Sequence, residues 1–401
     1  MQTKKTDTVR RLLFLLLAVM SLSLSGRAGE ARFSLVTCSP GDEAYSLFGH
    51  TALRYVDEDN RIEKVYNYGY FNFNAPNFMW RFILGETDYM VGAVTYRSFL
   101  YEYIQRGSSV TEQVLNLTPE QVARLYALLE ENCAPENRVY RYNYFYNNCT
   151  TKARDKIIEA LGEGYGIVYA SDSLQLPTFR ESLSAMTSSH PWYSFGIGLL
   201  MGSDVDKEAT LEELQFIPGN LMKDFENAVI VDPYGNRVPA LNATNLLVKE
   251  NRPAAVRDNF TPFNASLLLL LFTLIVMLCE VRRKKTFWGY DIFLMLLQGL
   301  PGCMLLFMGL CSEHPAVDAN YAMLFLNPLA LVIVPVMVYR SIRHKSPLMA
   351  WVQVAFVMLF LLSGILGMQC YPVPLYICAL AVLVRSLFHV FKDRICESNI
   401  I

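Results

Sequence analysis

Hydrophobic and polar positions divide this chain into three stretches with different periods. The first apolar run, residues 12–24, follows Lys4, Lys5, Arg10 and Arg11 and precedes Ser25-Gly26-Arg27-Ala28. A basic segment, a short apolar core and small residues at 26 and 28 form the pattern of a signal peptide, with cleavage expected after Ala28. The alternative, an uncleaved anchor, needs a longer run.

Residues 29–262 read as one exported globular domain. Loose alternation predicts strands over 33–38, 50–56, 64–70, 89–96, 110–117 and 138–145. Thr118-Pro119-Glu120-Gln121 opens a helix, with Thr as N-cap, Pro at the first position and Gln closing a capping box. A second helix follows Asn148, with Ala153, Ile157, Ile158 and Leu161 on one face and Gly162 at its end. Further helices are expected over 98–106, 178–185 and 211–228, with a turn over 232–236. Tyr66, Tyr68, Tyr70, Phe71, Phe73, Phe78, Trp80 and Phe82 crowd one stretch. They are expected to pack the sheet, with a minority free to form an apolar trough for an acyl chain.

The third stretch holds five long apolar runs, residues 263–281, 290–310, 321–339, 348–368 and 373–390. Each approaches the roughly 20 residues that cross a bilayer as a helix. Arg282, Arg283, Lys284 and Lys285 follow the first run, Arg340, Arg343 and Lys345 the third, and Lys392 and Arg394 the fifth. The loops over 312–320 and 369–372 carry no Lys or Arg. The positive-inside rule puts the basic loops in the cytoplasm and the domain before the first span outside, in agreement with the leader. The expectation is a five-helix transmembrane domain over 263–391 and a cytoplasmic tail over 392–401, in a multi-pass membrane protein.

Composition narrows the function. The net charge of −2 leaves no basic surface for nucleic acid. Of the nine cysteines only Cys38, Cys133 and Cys149 lie in the exported domain. Cys38 and Cys133 are a candidate disulfide if Cys149 is a free nucleophile, though nothing in the sequence brings their Cα atoms together. There is no CxxC and no zinc-type spacing, so neither a metal nor a cofactor is expected.

The chemistry centres on Cys149. It stands in Asn147-Asn148-Cys149-Thr150-Thr151 at a predicted helix start, where unpaired N–H groups favour the thiolate and suit an oxyanion. His50, at the start of a predicted strand, is the candidate base, and Asn67, on the strand paired to it, the candidate group that orients the imidazole. Each has a plainer reading: a buried small hydrophobe, a core histidine, a strand-end amide. Asp57 and Asp59 lie in a turn and look too solvated for the orienting role.

This order of motifs resembles circularly permuted papain-like enzymes of the NlpC/P60 and lecithin–retinol acyltransferase type. The match is closer to the DUF4105 or Lnb-like family. It runs from Pro40-Gly41 and Tyr45-Ser46-Leu47-Phe48-Gly49-His50-Thr51-Ala52-Leu53-Arg54 to Tyr66-Asn67-Tyr68-Gly69-Tyr70-Phe71. It continues over Tyr146-Asn147-Asn148-Cys149-Thr150-Thr151-Lys152-Ala153-Arg154-Asp155. The resemblance covers nearly the whole mature chain. It implies an α+β, permuted papain-like catalytic domain followed by spans. It also implies transfer of an acyl chain from a phospholipid to the α-amino group of a diacylglyceryl lipoprotein. Tyr68, Asn148 and Arg154, within the matching motifs, and His314, in an outer loop, are expected to contact substrate. Arg180, His190, Trp192 and Asp204 are further candidates for a headgroup or for the interface. The competing readings are an envelope cysteine hydrolase with the same dyad and a non-enzymatic envelope module.

Overall fold

The computed structural model describes residues 31–43, 46–72, 74–170, 175–252, 259–343 and 345–398. The expected leader over 1–28, Tyr45 of the first motif and Phe73 of the aromatic stretch lie outside the described residues. The described strands are β1 (Arg32–Cys38), β2 (His50–Asp57), β3 (Ile62–Tyr70), β4 (Asp88–Thr95), β5 (Val110–Leu115), β6 (Val139–Arg141), β7 (Gly166–Val168), β8 (Val229–Val231), β9 (Arg237–Pro239) and β10 (Leu241–Val248). Seven of them form one antiparallel sheet in the order β10-β5-β1-β2-β3-β4-β6. The other three, β7, β8 and β9, form a small sheet.

The helices of this domain are α1 (Phe78–Leu84), α2 (Tyr96–Arg106), α3 (Pro119–Cys133), α4 (Cys149–Leu161), α5 (Phe179–Met186), α6 (Pro191–Leu200), α7 (Leu211–Leu214) and α8 (Pro218–Glu226). Side chains alternate across the sheet, so each face has its own core. Phe33, Leu35, Leu53, Tyr66 and Tyr68 face Leu125, Leu129, Ile157 and Phe225 of α3, α4 and α8. Val36, Cys38, Ala52 and Val65 face Phe99 and Tyr103 of α2. Both faces being covered explains why the central strands alternate only loosely in polarity.

Local structure departs from expectation in several places. The strand over 138–145 stops at Arg141, because the Asn143 side chain accepts from the N–H groups of Phe145 and Tyr146 and folds the chain into a loop. The helix over 211–228 is two helices, α7 and α8, because Pro218 cannot donate within a helix and starts a new one. Strand β10 pairs with β5 at the sheet edge, and its mostly exposed residues carry no apolar alternation. Cys38 and Cys133 are free thiols, Cys38 buried, so the candidate disulfide is not formed.

The C-terminal helices are α9 (Pro262–Arg283), α10 (Trp288–Cys311), α11 (Ala330–Ile342), α12 (Leu348–Ile365) and α13 (Val373–Ser398). Four, α9, α10, α12 and α13, are long and apolar enough to cross a membrane. The expected third span is broken. Residues Tyr321–Leu324 form a 3-10 turn, the Asn327 side chain accepts from the Leu329 N–H, and the 13-residue α11 follows. Thirteen residues reach about 20 Å, short of a hydrocarbon core of about 30 Å. The break is held by Gln298, which donates to the Phe325 carbonyl and accepts from Gln353, so the freed backbone is satisfied inside the bundle. Arg385 of α13 binds both Glu280 of α9 and Asp291 of α10, and His389 binds Asp291.

The domain and the bundle are joined by backbone contacts. The Gly202 N–H donates to the Ala316 carbonyl at 2.8 Å and the Gln369 amide to the Met201 carbonyl at 2.9 Å. A Cβ on Gly202 would lie 1.7 Å from the Asp318 carbonyl oxygen, so the chains must separate to admit one. Gly202→Ala is therefore expected to lower stability by about 1–3 kcal/mol. Thermal unfolding of the purified protein in detergent checks this; an unchanged midpoint would show that the joint yields without cost.

Candidate active site

His50 is the first residue of β2, and Asn67 lies on β3 opposite Ala52. Both point to the face that carries α2, as the strand alternation requires. His50 Nε2 and Asn67 Oδ1 are 3.1 Å apart. The Asn67 amide nitrogen donates to the Tyr70 hydroxyl at 3.2 Å. With the amide in this orientation its oxygen accepts from the ring N–H, and Nδ1 is left as the basic nitrogen. Tyr103 of α2 lies nearly parallel to the imidazole, with ring centroids 6.3 Å apart.

Cys149 opens α4. Asn148 caps the helix by accepting from the N–H groups of Thr150 and Thr151, and its amide donates to the Tyr144 and Phe216 carbonyls. The Thr51 hydroxyl bonds the Thr150 hydroxyl at 3.2 Å and ties the helix start to β2. Helix α4 packs on the face opposite His50, so its first residue reaches the imidazole only around the strand ends. Gly69 makes this possible. It stands at a register shift on β3 with φ 99°, and a Cβ there would lie 3.8 Å from the Cys149 Cβ. A side chain at 69 would have to adopt the left-handed region and would stand in contact with the cysteine.

The thiol and the imidazole act on each other. Burial alone would push the Cys149 thiol up. The charge of His50, its hydrogen bond, and bonds from the Thr51 N–H and the Thr150 hydroxyl outweigh this and bring it down to about 7. Burial likewise lowers His50, but the charge and hydrogen bond of Cys149, with the bond to Asn67, raise it above its ordinary value. Tyr140, Tyr142 and Tyr144 lie within electrostatic reach of the thiol; burial first pushes their phenols up, then the thiolate charge for Tyr140 and Tyr142, and neighbouring phenols ahead of the thiolate for Tyr144. They stay neutral, so the thiol has phenols rather than further charges among these neighbours.

Of the residues singled out in the sequence, the structure brings His50, Asn67 and Cys149 together. The others are engaged within the protein. Tyr68 is buried and donates to Asn132 at 2.9 Å. Arg154 donates to the Glu212 carbonyl and pairs with Asp155. His314 bonds the Phe82 carbonyl at 2.8 Å. Arg180 is surrounded by Asp206 and the carbonyls of Gly198, Met201 and Gly202. Asp204 pairs with Lys207, His190 bonds Ser189, and the Trp192 indole N–H donates to the Phe260 carbonyl.

Sequence reasoning missed Tyr70, Gly69 and Tyr103. Gly69 had a signal, since a lone glycine inside a strand marks a bulge or a close backbone approach. Tyr70 and Tyr103 were hidden among many aromatics. Among the described residues no three His, Cys, Asp or Glu side chains converge as a metal site.

The family model described as the Lnb N-terminal periplasmic domain matches residues 26–178. The one described as the Lnb transmembrane domain matches residues 254–394. No curated protein and no solved structure matches the chain.

The pKa directions give a testable pH profile. The thiolate fraction rises with pH through the thiol pKa, so alkylation of Cys149 by iodoacetamide should rise with a midpoint of about 7. His50→Ala removes the charge and leaves the burial, so the midpoint should move above the ordinary thiol value of about 8.5. Peptide mass spectrometry reads the modification at Cys149. A profile unchanged by His50→Ala would show that the imidazole does not act on the thiol.

Proposed function

The chain belongs to the Lnb-like family of membrane proteins with a periplasmic domain, and from that premise we propose that it is a lipoprotein N-acyltransferase of the bacterial inner membrane. In this reading the exported domain is a permuted papain-like catalytic unit. The donor is a membrane phospholipid and the acceptor the α-amine of a diacylglyceryl-cysteine. The observation that carries the reading is a thiol at a helix start, brought down to about 7 beside an amide-held imidazole, in a domain docked on membrane-length helices.

The reaction runs in two halves. The Cys149 thiolate attacks an ester carbonyl of the phospholipid, and the Cys149 N–H at the start of α4 donates to the oxyanion. The tetrahedral species collapses by breaking the C–O bond. The leaving glycerol oxygen takes the proton held by His50 and departs as a lysophospholipid, leaving an acyl thioester. The lipoprotein amine then attacks the thioester carbonyl and gives its proton to His50. The C–S bond breaks, the thiolate leaves, and the amide is formed. Asn67 and Tyr70 hold the imidazole in the tautomer that both halves need. Tyr68, Asn148 and Arg154 act as positioning residues, since their hydrogen bonds go to the protein.

The hydrolase reading uses the same dyad but wants an open polar cleft beside the sulfur. Neutral phenols of Tyr140, Tyr142 and Tyr144 within electrostatic reach of the sulfur favour an apolar acyl group and keep competing water scarce. The non-enzymatic reading wants the sulfur far from His50, and the mutual shifts of the two groups speak against it.

In cells lacking any other N-acyltransferase, Cys149→Ala should leave a reporter lipoprotein diacylated. His50→Ala should match it within about tenfold in rate, and the double variant should be little worse than either single one, because the two act as a unit. The lipid state of the reporter, read by mass spectrometry, decides. Full N-acylation by Cys149→Ala would end the acyltransferase reading and favour the hydrolase.

A further inference from the structure

Helix α1 is seven residues long and buries none of them. Met79, Trp80 and Phe82 are 65%, 54% and 43% exposed. Such a helix is unsuited to water. Its one charged side chain, Arg81, turns back to Asp88 and the Glu86 carbonyl, so the exposed face carries no charge. The helix is also pinned at one height. The carbonyls of Phe82, Ile83 and Leu84 accept from His314, the Ser312 hydroxyl and the Glu313 N–H. These three residues follow Cys311, the last residue of the membrane-length α10. The Trp80 ring meets Phe307 of α10 at 5.2 Å, one turn inside that end. Around it Leu306 and Leu310 are exposed. The apolar face of α1 is therefore continuous with the lipid-facing surface of a span.

From α1 a series of ring contacts leads into the domain. Phe82 meets Phe78 at 6.3 Å, Phe78 meets Phe71 at 6.0 Å, and Phe71 meets Tyr89 at 5.1 Å. Tyr89 stacks on Tyr142 at 4.1 Å, and Tyr142 is within electrostatic reach of the Cys149 thiol. Phe71, Phe78 and Tyr142 are only half-buried, so part of each ring is open. The series starts at the end of a membrane-length helix and ends at Tyr142, within electrostatic reach of the nucleophile.

We propose that α1 inserts into the outer leaflet and that the rings of Phe78, Phe71, Tyr89 and Tyr142 guide a phospholipid acyl chain from the bilayer to Cys149. This rests on the acyltransferase reading and adds the route of the donor. The occupant is a fatty acyl chain, because the face is apolar, uncharged and level with the lipid. His314 then has a role as a positioning residue, holding the C-terminal end of α1 at membrane height.

The test compares two donors with the purified full chain in liposomes and a diacylated lipopeptide as acceptor. One donor is the phospholipid of the vesicle; the other is a water-soluble short-chain acyl thioester. The variants are Trp80→Glu and Phe82→Glu, both on the exposed face and neither in contact with the reacting groups. Transfer from phospholipid should fall about tenfold or more, as expected when an aromatic anchor in lipid is replaced by a charge. Transfer from the soluble donor should stay within about twofold, which also shows that the variants are folded. Equal transfer from phospholipid by the variants and the native protein would overturn the route. An equal loss with both donors would overturn it too. No transfer by the native protein from either donor would instead refute the acyltransferase reading beneath it.

Discussion

The start of α4 has to sit over the ends of β2 and β3 for a thiol and an imidazole on opposite sides of a sheet to share one pocket. Three local features meet that constraint. Gly69 takes a positive φ at the register shift of β3, in contact with the Cys149 Cβ. The Thr51–Thr150 hydroxyl pair ties strand to helix. Asn148 caps the helix and binds the carbonyls of Tyr144 and Phe216, so the first turn cannot fray. Once the helix start is held there, burial works against the thiolate while the imidazole, the Thr51 N–H and the helix terminus work for it. The balance favours the thiolate near neutral pH.

The same economy of position governs the contact with the membrane helices. Gly202, Asn320 and Gln369 join domain and bundle through backbone carbonyls, contacts that do not tolerate sliding. The ion cluster of Glu280, Asp291, Arg385 and His389 lies at the other end of the bundle and ties α9, α10 and α13 together. Buried charges that satisfy one another in this way fix a single arrangement of the helices. A rigid bundle holds the loop over 312–320 at one height, and that loop holds α1.

Much of this was legible in the sequence because it follows from local rules. The Thr118 capping box, the helix start after Asn148 and the hairpin that carries His50 and Asn67 all formed as expected. The break in the third apolar run was not legible because hydropathy counts residues and does not see that Asn327 and Pro328 interrupt the helix, nor that Gln298 and Gln353 satisfy the freed backbone. Tyr68 and Arg154 sit in suggestive motifs and His314 in an outer loop, yet their polar atoms face partners brought near by tertiary folding. Tyr70 and Tyr103 show the converse. Their place beside Asn67 and His50 depends on the bulge at Gly69 and on how α2 lies across the sheet, which no periodicity encodes. The two family matches span most of the chain, while the roles of single residues rest on the geometry.

The central claim is that Cys149 carries the acyl group. It is tested most directly by mixing the purified protein with vesicles of one defined phospholipid, without acceptor, and measuring intact mass and the peptide that contains Cys149. The account predicts an adduct of one acyl chain on Cys149, removed by hydroxylamine as a thioester is, with one lysophospholipid released per adduct. Acylated lipopeptide formed on adding acceptor, with no adduct ever detectable on Cys149 and full activity in Cys149→Ala, would contradict it.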